Sequence, residues 1–317
     1  MQIETYFLPI ILGLFQIGEP AWQEKLEQAH FWIEGGEYQR AESYLANETT
    51  DPSARGKRLA GSLNLSATLQ ERMGNFRAAE RLYLRALGVL SREFEDQRIT
   101  ANVKNNLGEL YRKMGQTSRA EKTLREAMSL AEASFDANHS ELRVIAANLG
   151  IIHFERKEFE KSEEVFRKIV QSRDREGSLD SGPGAAAMSN LAAVRYKRGS
   201  PSEGLQWAER AVTVWESIAP DSPVLAEGLR NCAVNLIGLH KYQQAGEVLQ
   251  RGASIALRKL GETHPLVSEI WRLQAEVLRR TGKGKQSRQL IRLANKYEAA
   301  HQRENALRHQ VDVSALR

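Results

Sequence analysis

Six turn residues recur along the chain at an almost constant step: Gly74, Gly115, Lys157, Gly199, His240 and Gly282 stand 41, 42, 42, 41 and 42 residues apart. On both sides of each turn, small and apolar residues fall three or four apart, which is the period of an amphipathic helix. The stretch from Asn105 to Gly115, followed by Ala120, Leu124, Ala127 and Met128, shows the pattern most fully. One such helical hairpin cannot bury its own apolar face, so it needs neighbours, and a fixed period supplies them. Five places after each turn stands a small residue, Ala79, Ala120, Ser162, Gly204, Ala245 or Ser287, where the second helix must pack closely on the first. Gly36, Tyr38 and Ala41 mark an earlier copy. The expectation is an all-α solenoid of about seven hairpins.

A repeat overrides the prior that a chain of 317 residues holds two ordinary domains, because a stack grows as one body. With 41% hydrophobic and 27% charged residues, the composition lies well away from the disordered class. The net charge of +5 raises the question of polyanionic partners. From Glu276 to Arg317, however, ten Lys and Arg face four Asp and Glu, so the excess sits in the last hairpin and tail. A basic end differs from a basic face, and the aromatic interleaving of single-strand binders is missing there, which argues against nucleic acid. Nucleic acid or anionic lipid at this end ranks behind a protein partner.

Taken in order, residues 1–20 form an apolar N-terminal segment, residues 21–300 the solenoid and residues 301–317 a basic C-terminal tail. Thr5 to Gly18 is too short to span a bilayer, so no transmembrane span is expected. It has the length of a secretory signal core, but Glu4 precedes it and Pro9 interrupts it. Folding back as an apolar cap on the first hairpin, which carries Trp22 and Trp32, is the other reading. The location is therefore cytoplasmic, or exported if residues 1–18 act as a signal. The joint from Gln171 to Ala185 is richest in Gly, Ser and Asp and reads as a mobile loop rather than a boundary, since the 42-residue step passes through it. Gly261 reads as a helix stop and Pro265 as the next helix start.

The hairpins resemble tetratricopeptide repeats. The residues that carry the resemblance are the Leu-Gly pairs at 107–108 and 149–150, the turn at Gly115 followed by Ala120, and the aromatics Phe76, Phe159 and Tyr242. The longer period, with Asn-Asn-Leu-Gly-Glu-Leu-Tyr at 105–111 and Leu-Gly-Glu-Thr-His-Pro at 260–265, is most similar to the kinesin-light-chain type. The resemblance implies a right-handed superhelix whose first helices line a concave groove. Thr117, Pro201 and Gly284 stand where an aromatic is expected, and Lys157 and His240 stand at the turn, which predicts looser packing in those copies.

Asn106, Asn148, Asn190 and Asn231 fall at one equivalent position of the first helices, 42, 42 and 41 residues apart. An amide offers a donor and an acceptor, so a row of them can hold the backbone of an extended peptide, and the resemblance implies that role for these four, with Asn105 beside them. The competing reading is that they satisfy helix carbonyls between repeats. Hairpin two has Leu65 at this position and Asn64 one place earlier. Other outward positions are apolar in the middle, including Ile151, Phe154 and Tyr196. Arg112, Lys113, Lys197, Arg230, Arg272 and Arg279 form basic shoulders. Such a surface would suit a protein or peptide with a hydrophobic anchor and acidic flanks. The alternative is a self-assembling structural platform with the groove occupied by the chain's own N-terminal segment.

Enzyme motifs fail on inspection. Thr281 to Gln286 lacks the upstream glycine and the Ser or Thr of a phosphate loop, and the seven histidines show no His-Glu-x-x-His spacing. Cys232, the single cysteine, takes a position filled by leucine in other copies and reads as packing. No cofactor, metal or small-molecule ligand is indicated, and the chain reads as non-enzymatic.

Overall fold

The structure, a computed structural model, describes residues 20–34, 37–51, 55–93 and 96–314. The N-terminal apolar segment, with both of its readings, and Gly36 lie outside them. The described residues form fourteen helices in seven successive pairs. These are α1 (Pro20–Glu34) with α2 (Tyr38–Thr50), α3 (Gly56–Arg72) with α4 (Phe76–Glu93), α5 (Gln97–Lys113) with α6 (Thr117–Ser134), and α7 (Ser140–Glu155) with α8 (Phe159–Arg175). Then come α9 (Gly182–Lys197) with α10 (Pro201–Ile218), α11 (Pro223–Gly238) with α12 (Tyr242–Leu260), and α13 (Pro265–Arg280) with α14 (Gly284–Ser314). The fold is an all-α solenoid of helical hairpins. Its residues divide into two compact units, one reaching Ile152 and the other running from His153 to Gln310.

Every turn in the series closes in the same way. Gly74, Gly115, Lys157, Gly199, His240 and Gly282 all take positive φ, between 59° and 82°. The N–H of the next residue then reaches five residues back, as in Asn75 to the Gln70 carbonyl at 2.8 Å and Gln116 to the Tyr111 carbonyl at 2.8 Å. These are Schellman closures, which satisfy the orphan carbonyls of the first helix while reversing the chain. Lys157 and His240 adopt the glycine conformation at φ 63° and 59°, so the closure persists there at the cost of crowding a Cβ.

The small residue five places later is buried in every copy, from Ala79 to Ser287. At Gly204 a Cβ would lie 2.1 Å from Asn235 Oδ1 and 2.9 Å from the Ala192 carbonyl oxygen. At Gly108 it would meet Leu124 Cγ at 2.7 Å. In the N-terminal unit Trp22 and Trp32 are buried in one core with Leu26, Leu63, Tyr83 and Leu107. Trp22 lies against Gly61, whose missing Cβ leaves room for the indole.

Helix starts follow local chemistry. Asp96, Ser181, Ser222 and His264 each accept a backbone N–H at an N-cap, and Pro201, Pro223 and Pro265 open their helices. The expected loop from Gln171 to Ala185 is shorter than its composition suggests, because α8 runs to Arg175 and α9 starts at Gly182. Gly177 repeats the positive-φ closure, Ser178 donates to the Arg173 carbonyl at 2.8 Å, and Leu179 is buried. The residues expected as a tail continue α14 to Ser314.

Two substitutions test the hairpin geometry. Replacing Lys157 with Gly should raise stability by about 1 kcal/mol by removing the left-handed penalty. Gly204→Ala should lower it by about 1–3 kcal/mol through overpacking. Urea denaturation followed by circular dichroism reads both, and equal midpoints for the two variants would contradict this account.

Candidate functional site

Residues one period apart become neighbours when hairpins stack, and the polar residues of the first helices use this offset. In the N-terminal unit Asn106 donates to Asn64 Oδ1 at 3.2 Å, exactly one 42-residue step away. Asn105 donates to Asn106 Oδ1 at 3.3 Å, and Asn148 donates to Asn105 Oδ1 at 2.9 Å. All four amides are buried, and they form a continuous chain from α3 through α5 to α7. Among the described residues Asn64 Nδ2 and Asn148 Oδ1, at the two ends of this chain of amides, have no partner. Asn102, fully buried one turn earlier on α5, has neither amide atom paired among them.

The charged groups beside this chain are paired with one another. Lys113 donates to Glu71 Oε1 at 2.8 Å, again one period away. Tyr83, on α4, donates to the other oxygen of Glu71 at 3.1 Å. Arg112 makes a bidentate pair with Glu109 at 2.7 and 2.8 Å. Burial pushes the Glu109 carboxyl up, but Arg112 and Lys113 outweigh it and hold the group below the usual range. Burial pulls the Lys113 ammonium down, and Glu71 and Glu109 more than offset that, leaving it raised. Ile151 is fully buried and adds to packing rather than surface.

In the C-terminal unit Phe154 is buried too, edge-on to Phe159 at 5.4 Å. Asn231 donates to the Ser189 carbonyl at 3.4 Å, linking α11 to α9 across one period, and its Oδ1 has no partner. Asn235, one turn on, donates to the Asn231 carbonyl at 2.9 Å. Asn190 is nearly buried, yet its amide makes no hydrogen bond among the described residues. Tyr196 and Lys197 follow at the end of α9. Lys197 is exposed, 5.7 Å above the Tyr196 ring, with no carboxylate partner among the described residues.

The remaining basic candidates are engaged. Arg230, only 4% exposed, donates to Glu269 on α13 at 2.6 Å. Arg272 bonds Asn295 at 3.0 Å and pairs with Glu298, and Arg279 grips Glu276 at 2.7 and 2.9 Å. The expected basic shoulders are therefore mostly ion pairs within and between hairpins. Sequence reasoning passed over Glu71, Asn102, Glu109, Asn235 and Glu269. The signal for Glu71 was present, since it stands one period before Lys113.

The tetratricopeptide repeat model matches residues 58–133, 100–175 and 185–256. The chain belongs to the tetratricopeptide repeat family. Repeats of this fold serve as protein–protein interaction scaffolds. Among solved structures, BtubC (BKLC) from P. vanneervenii is 21% identical at TM-score 0.56, covering 76% of this chain and 93% of that one. The kinesin light chain nearly identical TPR-like repeats from Podosopora anserina are 16% identical at TM-score 0.53, covering 66% and 99%. A Rap protein complexed with Competence and Sporulation Factor is 14% identical at TM-score 0.62, covering 94% and 91%. At these identities the likeness is one of fold, and it agrees with the kinesin-light-chain type of repeat. No curated protein matches the chain. Among the described residues no helix is long and apolar enough to cross a membrane, and no cluster of three metal-ligating side chains occurs.

The two kinds of asparagine should separate on mutation. Asn106→Ala strands Asn64 Oδ1 and Asn105 Nδ2 and should cost about 1–3 kcal/mol. Asn190→Ala breaks no hydrogen bond among the described residues and removes a poor helix former, so it should be neutral or slightly stabilising by urea denaturation. Equal losses at both positions would refute the distinction. Burial, reinforced by Glu209 and Glu216, pushes the Cys232 thiol up to about 12, so it stays protonated at neutral pH. A disulfide reagent should therefore label it only after unfolding.

Proposed function

We propose that this tetratricopeptide repeat protein is a non-enzymatic scaffold that binds an extended peptide or partner surface along the first helices of its hairpins. The amide of Asn190 would hold the partner's main chain, and Asn231 Nδ2, now on a long 3.4 Å bond to the Ser189 carbonyl, would join it where that bond opens. The observation that carries this reading is Asn190. An asparagine within a helix costs about 0.6 kcal/mol relative to alanine, and without an internal hydrogen bond nothing in the described residues offsets that cost. A main-chain ligand would offset it, because one amide can donate to a peptide carbonyl and accept from a peptide N–H.

Tyr196 and the exposed Lys197 adjoin the same helix end, so the partner is expected to bring an apolar group and an acidic side chain there. Arg112, Lys113, Arg230, Arg272 and Arg279 would contribute only if the partner's carboxylates displaced those that hold them now, which makes them secondary. That a Rap protein of this fold is complexed with a separate factor supports use of the fold for recognition.

Selection from a random peptide library against the full chain, followed by affinity measurement, tests the proposal. An Asn190→Ala, Asn231→Ala variant with an unchanged circular dichroism spectrum should bind the selected peptide about tenfold or more weakly, the loss expected for two hydrogen bonds. Unchanged affinity would reject the asparagine-based mode.

A further inference from the structure

The last helix carries a surface that peptide binding by asparagines does not use. Lys285, Arg288, Arg292, Lys296 and Arg303 are all exposed on α14. Counted from Lys285 they fall three, seven, eleven and eighteen residues on. At 3.6 residues per turn this confines them to an arc of about 80° along about 27 Å of helix. None makes an ion pair among the described residues. The neighbouring helices behave differently. Arg251, Arg258 and Lys259 on α12 and Arg272, Arg279 and Arg280 on α13 are each matched to a carboxylate. Between Gly284 and Arg303 the one acidic residue is Glu298, and it faces Arg272.

The stripe is not explained by helix stability. Lys285 and Arg288 lie in the first turns of α14, where the macrodipole disfavours positive charge, and no acidic residue occupies the first turn. Lys285, Arg288, Arg292 and Lys296 also repel one another by i,i+3 and i,i+4 proximity. The opposite side of the helix does the packing. Ser268 donates to the Ala294 carbonyl, Trp271 stacks near Tyr297 at 5.6 Å, and Ser287 donates to the Ala275 carbonyl at 2.7 Å. The stripe is therefore free for a ligand while the helix stays docked.

We propose that this face of α14 is a second interaction surface, which binds an acidic segment of a partner protein. Carboxylates repeating every helical turn, or on alternate residues of an extended strand, would match the spacing of the cations. The described residues favour this partner over the other polyanions. The aromatic nearest the stripe, Tyr297, lies about 120° from Lys285 and is already engaged, by Trp271 at 5.6 Å and by the Lys296 ammonium at 5.3 Å, so it is not an open platform for a base. Among the described side chains of α14 the exposed large apolar one is Ile291, about 60° beyond the Arg288 edge of the stripe, and a single such side chain falls short of the apolar face that a membrane-surface helix inserts.

The test uses the full chain, a polyglutamate peptide, an oligonucleotide and vesicles of mixed neutral and anionic lipid, with binding followed from about 50 to about 200 mM salt. The expected result is polyglutamate binding that weakens with salt and exceeds that of oligonucleotide and vesicle. It should fall at least about tenfold in a Lys285→Glu, Arg288→Glu, Arg292→Glu, Lys296→Glu variant. A variant with Gln at the same four positions should show an intermediate loss and guards against a folding artefact. Tighter binding of oligonucleotide or vesicle, no polyglutamate binding at low salt, or equal binding by the charge-reversed chain would overturn the proposal. Asn190→Ala, Asn231→Ala should leave polyglutamate binding unchanged.

Discussion

A single backbone device underlies the solenoid: one residue in the left-handed region, followed by an N–H that reaches five residues back to close the first helix. Repeated at Gly74, Gly115, Lys157, Gly199, His240 and Gly282, it reverses the chain with the same geometry each time. The second helix is then delivered against the first with a small residue at the crossing. At Gly204 and Gly108 no side chain would fit without displacing a neighbour. A constant turn and a constant crossing make each hairpin a similar body, and similar bodies can stack with a fixed offset.

That offset decides the fate of polar residues on the first helices. Lys113 meets Glu71, Asn106 meets Asn64 and Asn231 meets the Ser189 carbonyl, each pair one period apart. A buried amide or charge without a partner costs about 1–3 kcal/mol, so alignment of complementary groups between repeats is a condition of burying them. Where the match is complete, as at Asn106, the residue serves cohesion. At Asn190 the amide pairs with nothing among the described residues, so capacity remains for something outside the chain; Asn231 Oδ1 and Asn148 Oδ1 are unpaired there too, but both are closed off from solvent.

The same distinction runs through the charges. Arg112, Arg230, Arg272 and Arg279 answer carboxylates on their own or neighbouring helices, whereas the cations of the α14 stripe answer none among the described residues. Net positive charge at the C-terminal end is thus divided into a structural share, which ties hairpins together, and a share held on one exposed helix face. Only the second kind can provide long-range attraction for an acidic partner, because paired charges largely cancel beyond a Debye length.

The sequence by itself determined the hairpin count, the turn positions and the small residues at the crossings, because these depend on local periodicity and on conformations that glycine adopts most readily. Lys157 and His240 show that the pattern outweighs the residue: the turn forms there without glycine. The asparagine positions were legible as a repeat, but the division of labour among them was not. Asn106, Asn148, Asn190 and Asn231 look equivalent along the chain, and only the stacked structure decides that Asn64 and Asn105 complete Asn106 while no partner among the described residues reaches Asn190. The pairing of Lys113 and Arg230 was hidden for the same reason, since Glu71 and Glu269 become their neighbours through packing, whereas Arg112 meets Glu109 three residues away on its own helix. Hydrogen bonding and charge pairing act over a few ångströms in space, and that distance is set by tertiary contact.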